Sequence, residues 1–175
     1  MEIDKKIAIL FALLFSFFFS PCLCAENRSI SLGYGFGFLN PESKPYHLTY
    51  TKGLYDFFHV SFARENNIYE KIWLCAEPFA AYQLRPKGGL DLGFTLSGKF
   101  HVNKNFYINI GVGIAYTSYT FKEQGTHFPF ILQGGIGYRW KDFFIEDRFK
   151  HYSNAGLSRP NMSINSNLVL IGIYF

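Results

Sequence analysis

From Phe106 the chain reads FYINIGVGIAYTSYTF, and its side chains divide by parity. Even positions carry Phe106, Ile108, Ile110, Val112, Ile114 and Tyr116; odd positions carry Tyr107, Asn109, Gly111, Gly113, Ala115 and Thr117. Successive side chains of a strand point to opposite faces, so this segment lies between two different surroundings, one greasy and one small or polar. DLGFTLSGKFHV repeats the pattern, setting Leu92, Phe94, Leu96, Phe100 and Val102 against Asp91, Thr95, Ser97, Lys99 and His101. HFPFILQGGIGYRW does so again, with Phe128, Phe130, Leu132, Ile136, Tyr138 and Trp140 opposed to His127, Gln133 and Arg139. A soluble sandwich also alternates. These strands, however, run to about 10–16 residues, whereas globular strands usually hold about 5 or 6. Aromatic residues fringe the apolar face, and the other face carries too many charges and glycines for a leftover surface. The pattern predicts an all-β fold, an eight-stranded antiparallel transmembrane β-barrel of the bacterial outer membrane, with a greasy exterior and a crowded lumen.

Composition agrees. Aromatic residues make up 20% of the chain and charged residues only 17%, where a soluble domain spends about a quarter on charge. The net charge of +4 is mild. Aromatics mixed with basic residues would suit single-stranded nucleic acid, but here the bases fall in turns and the aromatics in strands, which argues against nucleic acid as a partner. The N-terminus, MEIDKKIAILFALLFSFFFSPCLCAEN, has a charged head, an apolar run from Ile7 to Phe19 and small residues near Ala25. This is the layout of an export signal over residues 1–25, with cleavage after Cys24 or Ala25; residues 26–175 are then the barrel domain. The run is shorter than the roughly 20 apolar residues of a spanning helix, and Pro21 and Leu23 fit a lipoprotein site poorly. Of three cysteines, Cys22 and Cys24 fall in the signal, leaving Cys75 without a disulfide partner.

Strands are expected near 29–39, 45–63, 68–84, 89–102, 105–121, 126–140, 142–154 and 165–175. The second is drawn in one piece because Tyr46, Leu48, Tyr50, Leu54, Phe58, Val60 and Phe62 share even parity, although KGLYD could split it. The third alternates poorly and contains Pro78, so its facing stays unassigned. An even count places both termini on the periplasmic side. RENN, VNKN and WKD then become periplasmic turns, and NPESKP, RPKG, KEQGTH and NAGLSRPNMSIN extracellular loops.

The seventh strand, FFIEDRFKHYS, contains the candidate chemistry. Glu146, Arg148 and Lys150 share the lumen parity, where mixed charges can neutralise one another. Phe143, Ile145, Phe149, His151 and Ser153 share the lipid-facing parity. A histidine and a serine facing lipid near the outer rim cost free energy unless they have partners. Interfacial filler is the plain explanation. The alternative is a nucleophile and its base. Positions two apart on one strand face lie about 7 Å apart at Cα, and a bend at Asn154–Gly156 could bring Nε2 to Oγ. A serine hydroxyl needs such a base.

HYSNAG followed by PN resembles the signature of the outer-membrane lipid A 3-O-deacylases, the PagL type of the acyloxyacyl hydrolase family. The resemblance extends over most of the mature chain, and the motif stands on the next-to-last strand, as in that family. It implies hydrolysis of an ester-linked acyl chain, probably the 3-O chain, of lipid A in lipopolysaccharide by a serine–histidine mechanism. On that resemblance Ser153 is the nucleophile, His151 the general base, and Asn154, Ala155, Gly156 and Asn161 form the oxyanion and substrate-positioning segment. The same residues are also ordinary turn formers. One position departs: Asn165 stands where the best-known member of the family has a glutamate. An asparagine can orient the imidazole by accepting from Nδ1–H but supplies no charge. Asp147 has the outward parity but lies four residues down the strand, about 13 Å away; Glu146 faces the lumen.

No metal or cofactor is implied. His47, His59, His101 and His127 show no ligand spacing. The glycines of GYGFGF alternate within a strand with no helix following, so they are assigned to lumen packing rather than to a phosphate loop. Lys44, Arg85, Lys87, Lys122 and Arg159 could meet lipopolysaccharide phosphates, although solvated loop charges are the commoner explanation. A homodimer is left open. The alternative function is a non-catalytic barrel that binds lipid or a host ligand and carries a degenerate triad.

Overall fold

The computed structural model describes residues 26–40, 55–85, 87–119, 124–159 and 163–175. The expected export signal, residues 45–54, His47, Lys44, Lys122 and Asn161 therefore lie outside the described residues. Eight strands form a closed antiparallel barrel: β1 (Glu26–Asn40), β2 (Tyr55–Tyr69), β3 (Ile72–Arg85), β4 (Gly89–His101), β5 (Phe106–Thr117), β6 (Phe130–Trp140), β7 (Phe143–Ser153) and β8 (Ser163–Tyr174). Each strand pairs with its sequence neighbours, and β1 closes on β8 from Ser29↔Tyr174 to Asn40↔Ser163. Closure leaves no sheet edge, as strands in hydrocarbon require.

The alternation produces the wall as the sequence reading expected. Ile110 and Ile136 point outward at 69% and 65% exposure, while Tyr107, Asn109 and Gln133 are buried inside. The third strand, unassigned from sequence, turns Cys75, Glu77, Phe79, Ala81 and Gln83 inward. Pro78 faces outward, and the β2–β3 ladder skips from Ser61↔Phe79 to Arg64↔Ala76 around it without changing register. A proline offers no N–H, so a local break in the ladder accommodates it.

Several lumen charges neutralise one another, while Lys150 Nζ lies over the Phe79 ring, 3.9 Å from its centroid. Arg148 bridges Glu77 (2.8 Å) and Glu146 (2.7 Å), and Lys99 pairs with Glu65. Tyr107 and Asn109 each donate to Glu146 at 2.9 Å. The glycines of GYGFGF make room for rings: a Cβ on Gly35 or Gly37 would collide with Phe57 or Tyr55 of the neighbouring strand. Cys75 is buried and free.

Several boundaries differ from expectation. RENN is strand and not turn, because Glu65 points into the lumen to meet Lys99 and the Tyr174 hydroxyl. The reversal comes later, at Glu70 and Lys71, where Glu70 takes a positive φ and Asn67 donates to its carbonyl at 2.9 Å. β5 stops at Thr117 and β6 begins at Phe130, although Ala115 N–H to Pro129 and Thr117 N–H to His127 carry the ladder a little further. β8 starts two residues early, at Ser163, so Asn165 stands inside the strand and not at its first position.

The connections at 70–71, 102–105 and 141–142 lie at the same end of the barrel as Glu26 and Phe175, and the opposite ends of the strands, from Asn40 and Tyr55 round to Ser153 and Ser163, are joined by mostly longer stretches of sequence. Short periplasmic turns and longer external loops are the rule for such barrels. The upper end of β7 is therefore the extracellular end.

Candidate active site

β7 carries His151 and Ser153 to that end with their parity outward, flanking Tyr152, which is buried in the lumen. Both outward residues are half-buried. Ser153 is paired with Phe130 of β6, and His151 stands between Leu132 of β6 and Asn165 of β8. Because His151 and Asn165 are cross-strand partners, their side chains meet directly: His151 Nδ1 donates to Asn165 Oδ1 at 2.7 Å. An amide oxygen can only accept, so Nδ1 holds the ring proton and Nε2 carries the lone pair. That tautomer suits a general base. Among the described residues no hydrogen bond joins Ser153 to His151; catalytic contacts commonly tighten only when substrate is bound.

The polar strip continues below. Asn167 Nδ2 donates to Asp147 Oδ1 at 2.7 Å, so Asp147 is engaged by its neighbour and not by His151. Glu146 is in the lumen, bound to Arg148.

The segment after Ser153 folds into a tight turn. Leu157 N–H bonds to the Asn154 carbonyl at 3.0 Å, with positive φ at both central residues, Ala155 (53°) and Gly156 (79°). This is the mirror-image turn, which glycine adopts freely and alanine under strain. Asn154 is buried and fully committed. Its Oδ1 accepts from Gly156 N–H (2.8 Å), and its Nδ2 donates to the carbonyls of Gln124 (2.7 Å) and Ser158 (2.9 Å). The even parity of β7 simply extends to Asn154 and turns it inward. Ala155 is exposed at the tip.

Sequence reasoning missed two participants. Gln124 is buried in the β5–β6 connection, where nothing in KEQGTH distinguishes it. Asn167 shares the outward parity of Asn165 and could have been found that way. Among the loop cations, Arg85 is held by Asp56 through two bonds of 2.9 and 2.6 Å, while Lys87 and Arg159 are exposed. Among the described residues no group of His, Cys, Asp or Glu is placed to hold a metal ion.

The model of the family described as lipid A 3-O-deacylase (PagL) matches residues 66–174, from the end of β2 through β8 and across the whole site. The chain belongs to the lipid A 3-O-deacylase family. Several solved outer-membrane barrels have the same fold. The outer membrane enzyme PagL is 21% identical with a TM-score of 0.57, covering 82% of this chain and 98% of that one. Neisserial surface protein A is 7% identical (TM-score 0.55; 86% and 97% covered), and the attachment invasion locus protein Ail of Yersinia pestis is 13% identical (0.53; 85% and 98%). No curated protein matches the sequence significantly. Of these three structures the PagL one is described as an enzyme, so the barrel alone carries no function and the deacylase family match does.

Proposed function

We propose that this protein is an outer-membrane serine esterase that removes the ester-linked 3-O acyl chain from lipid A. Lipid A lies in the outer leaflet beside the extracellular half of the wall, where His151 and Ser153 face outward. His151 Nε2 takes the Ser153 hydroxyl proton as Oγ attacks the acyl carbonyl. The tetrahedral intermediate collapses as His151 returns the proton to the departing 3-hydroxyl of lipid A, leaving the acyl chain on Ser153. Water, deprotonated by the same nitrogen, then releases the fatty acid and restores the serine. Asn165 keeps Nδ1 protonated throughout. The backbone N–H of Ala155, an exposed residue, and Asn161 are the proposed oxyanion donors, each contributing about 3–4 kcal/mol to the transition state. Asn154 and the Gly156 N–H, already bonded to one another, hold the turn that presents Ala155.

The single observation behind this reading is the 2.7 Å His151–Asn165 bond on the outward face beside Ser153. Lipid A from cells producing the wild-type protein is expected to lack one acyl chain by mass spectrometry, and lipid A from cells producing Ser153→Ala to keep it. A non-catalytic barrel that binds surface lipid is the second reading, favoured by the uncharged Asn165. Full-length lipid A in both strains, with folded protein in each, would establish it.

A further inference from the structure

One residue of the β5–β6 connection reaches both sides of Ser153. Gln124 is 1% exposed, although it lies in a loop at the extracellular end. Its Nε2 donates to the Tyr152 carbonyl at 3.1 Å. Its own carbonyl accepts from Asn154 Nδ2 at 2.7 Å and from Ser158 Oγ at 3.3 Å. Tyr152 and Asn154 immediately precede and follow Ser153, so Gln124 ties down the chain on either side of it. Strand ends fray, and loop segments open at low free energy. Here the strand end runs straight into two residues of positive φ. Without an anchor, the serine would move with its loop while His151 stayed fixed in the sheet.

We propose that Gln124 is a positioning residue for the hydrolysis, acting through the backbone of Tyr152 and the side chain of Asn154 to hold Ser153 in register with His151. The inference rests on Ser153 being the nucleophile. Misplacing a nucleophile by about 1 Å costs up to about a hundredfold in rate. Substrate binding should be largely spared, because the acyl chains lie on the outer wall and Gln124 faces the lumen side.

The test uses the full-length barrel in detergent micelles with purified lipid A, its folding checked by heat-dependent gel mobility. Gln124→Leu keeps the bulk and removes the donor; its kcat should fall about tenfold to a hundredfold while KM stays within about twofold. Gln124→Glu regains a donor only when its carboxyl is protonated, so its kcat relative to wild type at the same pH should rise as pH falls. A residue that merely filled space would give a flat ratio. Asn103→Ala, which breaks a periplasmic turn where Asn103 accepts from Asn105 and Phe106, should leave kcat unchanged. Wild-type kcat in Gln124→Leu, or a flat Gln124→Glu ratio, would overturn the inference. If Gln124→Leu does not fold, the Gln124→Glu ratio decides. Ser153→Ala assayed in parallel separates the two layers: hydrolysis at the wild-type rate there would remove the nucleophile, and this inference with it.

Discussion

The outer faces of β4–β5 and of β7–β8 belong to one closed sheet and meet the same hydrocarbon, but their chemistry is opposite. Across β4 and β5 the outward side chains are Leu96, Phe100, Ile108, Ile110, Val112 and Ile114. Across β7 and β8 the same rows hold Asp147, His151, Ser153, Asn165 and Asn167 between Phe149 and Val169. The barrel closes equally well in both places, so the polar strip is not required by the fold. Polar and ionisable groups on a lipid-facing wall cost free energy and mark function. The first face shows what the barrel needs, and the second carries the proposed site.

Four changes sharpen or break this contrast. The largest effect is expected for Ser153→Ala, which should lower lipid A hydrolysis by at least about 10⁴-fold with no loss of stability; residual hydrolysis near wild type would place the nucleophile elsewhere. Next, Ile110→Lys on the apolar face should destabilise the barrel by about 2–4 kcal/mol in lipid, measured by urea unfolding in vesicles. An effect below about 0.5 kcal/mol would mean that this face does not meet the bilayer core. Asn165→Leu comes third. It leaves Nδ1–H without an acceptor and should slow kcat about tenfold to a hundredfold, whereas Asn165→Glu, which adds a charge beside the imidazolium, should raise it. Equal rates in all three forms would mean that the 2.7 Å bond does not orient the base. Smallest is the double change Asp147→Val with Asn167→Val, expected to stabilise the barrel by about 1 kcal/mol by removing polar groups from the wall; a loss of stability would show the pair to be structural.

The comparison also explains what could be read from sequence. Where one face meets lipid and the other a crowded lumen, each residue declares its side, so β4 and β7 were legible to within a residue. β2 was not: RENN has turn composition, yet Glu65 belongs to a lumen pair that only the register with Lys99 and Tyr174 reveals. At the site, the outward facing of His151 and Ser153 followed from parity, whereas the pairing of His151 with Asn165 comes from the β7–β8 register, which sets them opposite. Gln124 was illegible because a loop has no period. Its burial comes from contacts with Tyr152 and Asn154, some 30 residues away in sequence.

The central claim is that an outward-facing serine at the top of β7 attacks a lipid-borne acyl group. An alkyl fluorophosphonate, which reacts with activated serines, tests this directly when added to the folded barrel and followed by peptide mass spectrometry. The account predicts an adduct on the peptide containing Ser153, formed by the wild type and lost in His151→Ala. An adduct on another residue, or none from a preparation that deacylates lipid A, would contradict it.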